Sequence, residues 1–184
     1  MLYTGSGDDG KMTTFGCDQR VSKSSAIAEA LGSLDEINSF LGFCKVRSRD
    51  AAFMVKDTLS FEQVAHDMQQ KLFIIQATVA GYPKPLGENA VEGLGEVIDY
   101  IETHMDPIKT FFISGGTELA ATFDFARTLA RRAERRVVAV SEEQAEKIPA
   151  EVLQYMNRLS SMLYALARYA NHLAGIKEEP PKYS

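Results

Sequence analysis

The chain has little of what marks a redox, metal or membrane protein. Its two cysteines, Cys17 and Cys44, are too few for a disulfide framework and point to a reducing compartment. Its three histidines are His66, His104 and His172. A di-metal carboxylate site in a helical bundle needs a Glu three residues before a His, and those places hold Gln63, Ile101 and Tyr169. No Cys/His cluster has zinc spacing, and residue order suggests no Ser/His/Asp set. Basic excess is lacking too. A net charge of −5 argues against a general nucleic-acid binder, which needs a broad basic surface. No apolar run approaches the ~20 residues that span a bilayer. Residues 1–10 are polar and glycine-rich, unlike a signal peptide. The expectation is a cytoplasmic protein with neither membrane nor nucleic acid as a partner.

What is present is helical. With 184 residues, 45% apolar and 24% charged, the chain suits one domain with a sizeable core. Apolar residues recur at three and four in five stretches, which predicts helices over about 25–47, 60–80, 89–105, 117–140 and 149–174. The first stripe is Ile27, Leu31, Leu34 and Leu41, with Asn38 as a polar intruder. Residues 47–59 show no period and read as a loop or frayed end; Gly81, Pro83, Pro85 and Gly87 break the chain again. The expected fold is all-α: an irregular glycine-rich segment over 1–23, a five-helix bundle over 24–174, and a mobile tail over 175–184.

The chemistry concentrates in the fourth helix. Residues 127–136 hold five arginines. Arg127, Arg131, Glu134 and Arg135 share one face, beside an apolar seam of Leu119, Phe123, Ala126, Ala130, Ala133 and Val137. Guanidinium forks match phosphate and carboxylate oxygens in a bidentate way. The ledge reads as an anion site, with a solvated charged face as the bland alternative. Other candidates surround it. The loop from Thr4 to Gly16 can bring backbone N–H groups to a ligand, although it is neither a Walker A loop nor a dinucleotide fingerprint. Phe111-Phe112 before Gly115-Gly116 reads either as a loop anchor or as an aromatic wall for a flat ligand. Asp35, beside the first helix's seam, suits pairing with an arginine of another helix, as a tie or as part of a site. Asn157, Ser161, Tyr164 and Arg168 make a polar stripe on the last helix.

Six motifs in one order resemble the trimeric, five-helix type of ATP:cob(I)alamin adenosyltransferase. They are Tyr3-Thr4-x-x-Gly7-Asp8-x-Gly10, Arg20-Val21-Ser22-Lys23, Gly32-x-x-Asp35-Glu36-x-Asn38-Ser39, Phe111-x-Ile113-x-Gly115-Gly116, Ala126-Arg127-x-x-x-Arg131-Arg132-Ala133-Glu134-Arg135 and Asn157-Arg158-Leu159-Ser160. The resemblance implies transfer of the 5′-deoxyadenosyl group of ATP to Co(I) of reduced cobalamin. It implies a homotrimer with sites between subunits, Mg²⁺ on the phosphates with no metal ligated by side chains, a reductase that supplies reduced cobalamin, and an enzyme that uses the adenosylcobalamin. By the same resemblance Thr4, Gly7, Asp8, Gly10, Thr13, Lys23, Arg131, Arg132, Glu134, Arg135 and Asn157 hold the nucleotide. Arg127 and Arg131 stabilise the leaving triphosphate. Asp35 pairs with Arg127, and Phe111 helps keep the lower axial ligand off cobalt.

Four places depart from the family's pattern. Met12 and Ser114 replace a threonine and a proline, Ser24-Ser25 replace an acidic pair, and Ser161 replaces an aspartate. The last removes a carboxylate beside the arginine ledge. Ser161 and Met12 motivate a rival expectation, a non-catalytic relative that binds ATP or adenosylcobalamin as carrier or sensor.

Overall fold

The computed structural model describes residues 3–14, 20–143 and 148–183. Helix α1 runs over Ala26–Ala51. Ser25 starts it: the side chain accepts the Ala28 N–H at 3.4 Å, which satisfies one of the orphan donors of the first turn. A serine where the family pattern has an acid is therefore a cap. Ser25→Ala should lower stability by about 1 kcal/mol, measured by urea denaturation.

The buried stripe of α1 is Ala30, Leu34, Ile37, Leu41, Cys44 and Ser48, with Asn38 also buried. Ile27 and Leu31, expected in the seam, are only half-buried. Asn38 faces α2, Phe61–Val79, where Gln69 Nε2 donates to the Asn38 carbonyl at 2.9 Å. Burial raises the Cys44 thiol to about 12, so at neutral pH it stays protonated and unreactive. Cys17 and Gly16 lie outside the described residues.

Two segments expected to be irregular contain short strands. β1, Lys11–Thr13, pairs antiparallel with β2, Arg20–Ser22, Met12 standing opposite Val21. Between α1 and α2, β3 (Met54–Lys56) pairs with β4 (Leu59–Ser60). Residues 47–59 are thus the end of α1, a left-handed Ala52 at φ 54°, and a hairpin. Strands of two or three residues are too short to show an alternation in sequence.

The remaining helices are α3 (Ala90–Thr103), α4 (Glu118–Glu143) and α5 (Ala150–Leu173). α4 is central: it packs on α1 and on α5, while α2 packs on α1 and α3 on α5. The small side chains Ala126, Ala130 and Ala133 are fully buried and let the flanking helices approach. Every residue of the expected α4 seam is buried, as is the α5 series Val152, Tyr155, Leu159, Met162, Leu166 and Tyr169. α3, at the edge of the bundle, buries only Leu94 and Ile101, leaving Val91 and Ile98 half-covered. Among the described residues no helix is long and apolar enough to cross a membrane.

Candidate functional site

The arginine run divides between two neighbours of α4. On the α1 side, Arg132 pairs with Glu36, and Arg136 with Glu29 at 3.5 Å. On the α5 side lie Arg127 and Arg131. Arg127 Nε is 3.4 Å from Asp124 Oδ1, and its guanidinium carbon is 5.7 Å from the Tyr164 ring centre. Glu134 accepts a 3.0 Å hydrogen bond from Asn157 Nδ2, and Arg135 donates to the Arg131 carbonyl at 3.0 Å. Arg132, expected beside Arg131 on an anion, is thus engaged by a carboxylate of α1. Both partners of that pair are about half exposed, at 45% and 48%. Such pairs contribute no more than about 1 kcal/mol, so exchange of Glu36 for a phosphate costs little.

Arg127 and Arg131 line a cavity of about 540 Å³ together with Phe111, Phe112, Ser161 and Tyr164. A cationic ledge therefore faces an aromatic wall. Phe111 is 77% exposed, which is costly for a phenyl ring left in water. Desolvation is the main cause that raises the Tyr164 hydroxyl above its ordinary pKa, so it is a neutral donor.

Asn171, in the last turn of α5, builds the wall's base. Its Nδ2 donates to the Gly115 carbonyl at 2.8 Å, and its Oδ1 accepts the Thr117 N–H at 2.9 Å. Thr117 Oγ1 in turn accepts the Ala120 N–H at 3.0 Å and opens α4. Gly115 and Gly116 have φ of +128° and +100°, and a Cβ on Gly116 would stand 2.8 Å from Asn171 Cγ. Sequence reasoning did not single out Asn171. Its signal was a polar residue on the buried side of an apolar helix, which must find partners.

The N-terminal loop is closed on itself. The Asp8 and Gly10 N–H groups donate to the Gly5 and Gly7 carbonyls, each at 3.2 Å. Lys23 Nζ donates to the Gly7 carbonyl at 2.9 Å, and Arg20 binds Asp9 Oδ1 at 2.8 Å. Thr4 Oγ1 lies 2.9 Å from Ser6 Oγ. Lys23 and Arg20 thus tie the turns over residues 5–10 to β2. The Asp8 and Gly10 amides, expected to wrap phosphates, are spent on turns in this conformation.

Thr13, Asp35, Met12 and Phe73 line a second cavity of about 540 Å³, against α1 and α2. Asp35 is exposed and makes no ion pair with Arg127, which lines the other cavity. The expected pairing is not made within this chain: Asp35 borders the cavity against α1 and α2, and Arg127 the cavity against α5.

These features agree with one family. The cobalamin adenosyltransferase family matches residues 2–170. This chain is a cobalamin adenosyltransferase family member. Corrinoid adenosyltransferase PduO of Citrobacter freundii is 35% identical over 93% of this chain, which spans 50% of that relative, about half its length. Corrinoid adenosyltransferase of Bacillus subtilis is 35% identical over 95% of this chain and 89% of its own. A variant PduO-type ATP:corrinoid adenosyltransferase from Lactobacillus reuteri, complexed with cobalamin and ATP, superposes with a TM-score of 0.85 at 30% identity, covering 100% of this chain and 98% of the other.

Within the cobalamin adenosyltransferase fold the departures are locatable. Ser161 borders the Arg127–Arg131 cavity, where an aspartate would add a negative charge. Met12 sits in β1 beside Thr13, and Ser114 borders the aromatic wall. Among the described residues no group of three or more His, Cys, Asp or Glu could hold a metal ion.

Proposed function

We propose that this chain transfers the 5′-deoxyadenosyl group of ATP to Co(I) of reduced cobalamin, releasing triphosphate. The observation that carries the reading is the cavity where Arg127 and Arg131 face Phe111 and Phe112. A cobalt–carbon bond forms at C5′ as the C5′–oxygen bond breaks, and its electron pair leaves on triphosphate. Co(I) supplies the nucleophile, so the protein needs no general base. It must align C5′ with cobalt and hold the charge that grows on the leaving group. Arg127 and Arg131 suit the second task, each charge-assisted hydrogen bond contributing ~1.5–3 kcal/mol. Arg132 and Lys23 join them once Glu36 and the Gly7 carbonyl release their side chains, and magnesium on the phosphates adds further charge. Thr4, Gly7, Asp8, Gly10, Thr13, Glu134, Arg135 and Asn157 hold the nucleotide. Phe111 fills the space a lower axial ligand would need.

The active form is a homotrimer in which the Asp35 face of one subunit meets the Arg127 face of the next. Two observations support this: both half-sites are open, and Phe43, Val46, Phe73 and Phe125 are each more than two-fifths exposed. A reductase supplies the reduced cobalamin, and an adenosylcobalamin-dependent enzyme consumes the product. The protein works in the cytoplasm.

The test is product analysis after anaerobic incubation with MgATP and chemically reduced cobalamin. Adenosylcobalamin and intact triphosphate should accumulate in equal amounts; pyrophosphate or phosphate as the primary product would contradict the mechanism. Ser161 favours the rival reading, a carrier that binds without turnover. Ser161→Asp separates the two. Under the enzyme reading it changes kcat by no more than about threefold, because the ledge already holds its arginines. A silent wild type that gains turnover in this variant supports the carrier.

A further inference from the structure

The C-terminal segment, expected to be mobile, returns over the loop that carries Phe111. Gly175, at φ +68°, turns the chain back, and the Ile176 N–H donates to the Asn171 carbonyl at 2.9 Å. Three residues on, the Ile113 N–H donates to the Glu179 carbonyl at 2.9 Å. Between these ties, Arg168 Nε donates to Glu178 Oε2 at 2.8 Å. Both side chains are nearly out of water, 10% and 13% exposed. The Arg168 guanidinium carbon lies 4.8 Å from the centre of the Phe112 ring, a distance at which the cation is attracted to the ring face.

We propose that residues 175–179 are a strap, and that Arg168 and Glu178 are positioning residues that set the Phe111 wall. Arg168 is buried in the last helix, so its charge needs a partner, and the strap supplies it. Removing that partner leaves a buried charge unpaired, which drives the guanidinium toward water and off the Phe112 ring. The loop then loses the cation under Phe112 and the backbone bond at Ile113, keeping only the Asn171 hold at Gly115. Phe111 projects beyond these ties and takes its place from them. The functional half of the proposal rests on the adenosyltransferase reading; the structural half does not.

The two halves are separable because the chain contains no tryptophan. Phe111→Trp therefore places a single fluorescent reporter on the wall. Adding Glu178→Ala in that background should lower the reporter's anisotropy, and so should ending the chain after Lys177. Unchanged anisotropy in both variants overturns the strap. With Phe111 intact, Glu178→Ala should lower kcat about ten- to a hundredfold, the scale of a misplaced reacting group; with Co(II)alamin and MgATP added, it should also weaken the Co(II) signal of cobalt that has lost its lower axial ligand, the state Phe111 is proposed to favour. The dissociation constant of ATP should stay within about twofold, a split that general destabilisation would not give. Glu178→Gln, which keeps the shape and one acceptor, should fall between. A lowered anisotropy with kcat and the Co(II) signal unchanged overturns the positioning role. A wild type without turnover defeats the adenosyltransferase reading, and the anisotropy then decides the strap alone.

Discussion

Arg127→Ala should lower kcat about 10²- to 10³-fold, the cost of losing one donor aimed at charge that develops in the transition state. Arg127 is the most enclosed arginine of the ledge. Its side chain is 29% exposed, whereas Arg131 and Arg135 are exposed. Asp124 holds its Nε, and Tyr164 lies under the guanidinium, so the fork is oriented before any ligand arrives. A pre-oriented donor pays little entropy when triphosphate begins to leave. ATP affinity, read by calorimetry, should change far less than kcat, because ground-state phosphates have other cations to meet. A rise in KM with kcat unchanged would instead mark Arg127 as a uniform binder. Arg127→Lys should recover only part of the loss, since an ammonium has no planar fork.

The largest expected effect on stability belongs to Gly116→Ala, at about 3 kcal/mol. A backbone at φ +100° costs a non-glycine residue about 1–3 kcal/mol. The new Cβ would also stand 2.8 Å from Asn171 Cγ and closer still to Oδ1. Asn171 would have to move, giving up bonds to the Gly115 carbonyl and Thr117 N–H worth about 1 kcal/mol each. For a chain of this size that lowers Tm by roughly 10 °C in calorimetry. Gly115→Ala is the internal control. Its φ of +128° carries similar backbone strain, yet nothing stands within 4 Å of its Cβ, so its loss should be about half as large.

Helices were legible wherever burial has one direction. The α4 and α5 seams read from the sequence are the seams observed, because each helix presents one broad face to the core. In α1 the stripe read from the sequence packs against the core, with Ile27 and Leu31 half-buried, but α2 and α4 cover the helix from two sides and it also buries Ala30, Ile37 and Cys44. The strands were invisible for their shortness. Of the site, the arginine cluster and the Phe111 loop were legible as chemistry, since guanidinium-rich runs and exposed aromatics are rare without a reason. Three things were not. Which arginines face α1 depends on Glu29 and Glu36, about a hundred residues away in sequence. The role of Asn171 depends on a glycine pair that reaches it only in the fold. The separation of Asp35 from Arg127 depends on which helices flank each residue, which motif order does not reveal.

That separation gives the most direct test of the proposed reaction centre. Asp35→Ala and Arg127→Ala subunits, each nearly inactive alone, are mixed in equal amounts under conditions that exchange subunits, and loss of the Co(I) absorbance is followed anaerobically with MgATP. If each site takes Asp35 from one subunit and Arg127 from the next, every mixed ring holds one intact site. Random mixing of a cyclic trimer then restores about a quarter of wild-type activity. Activity that stays at the mean of the two parents would contradict a centre built between subunits.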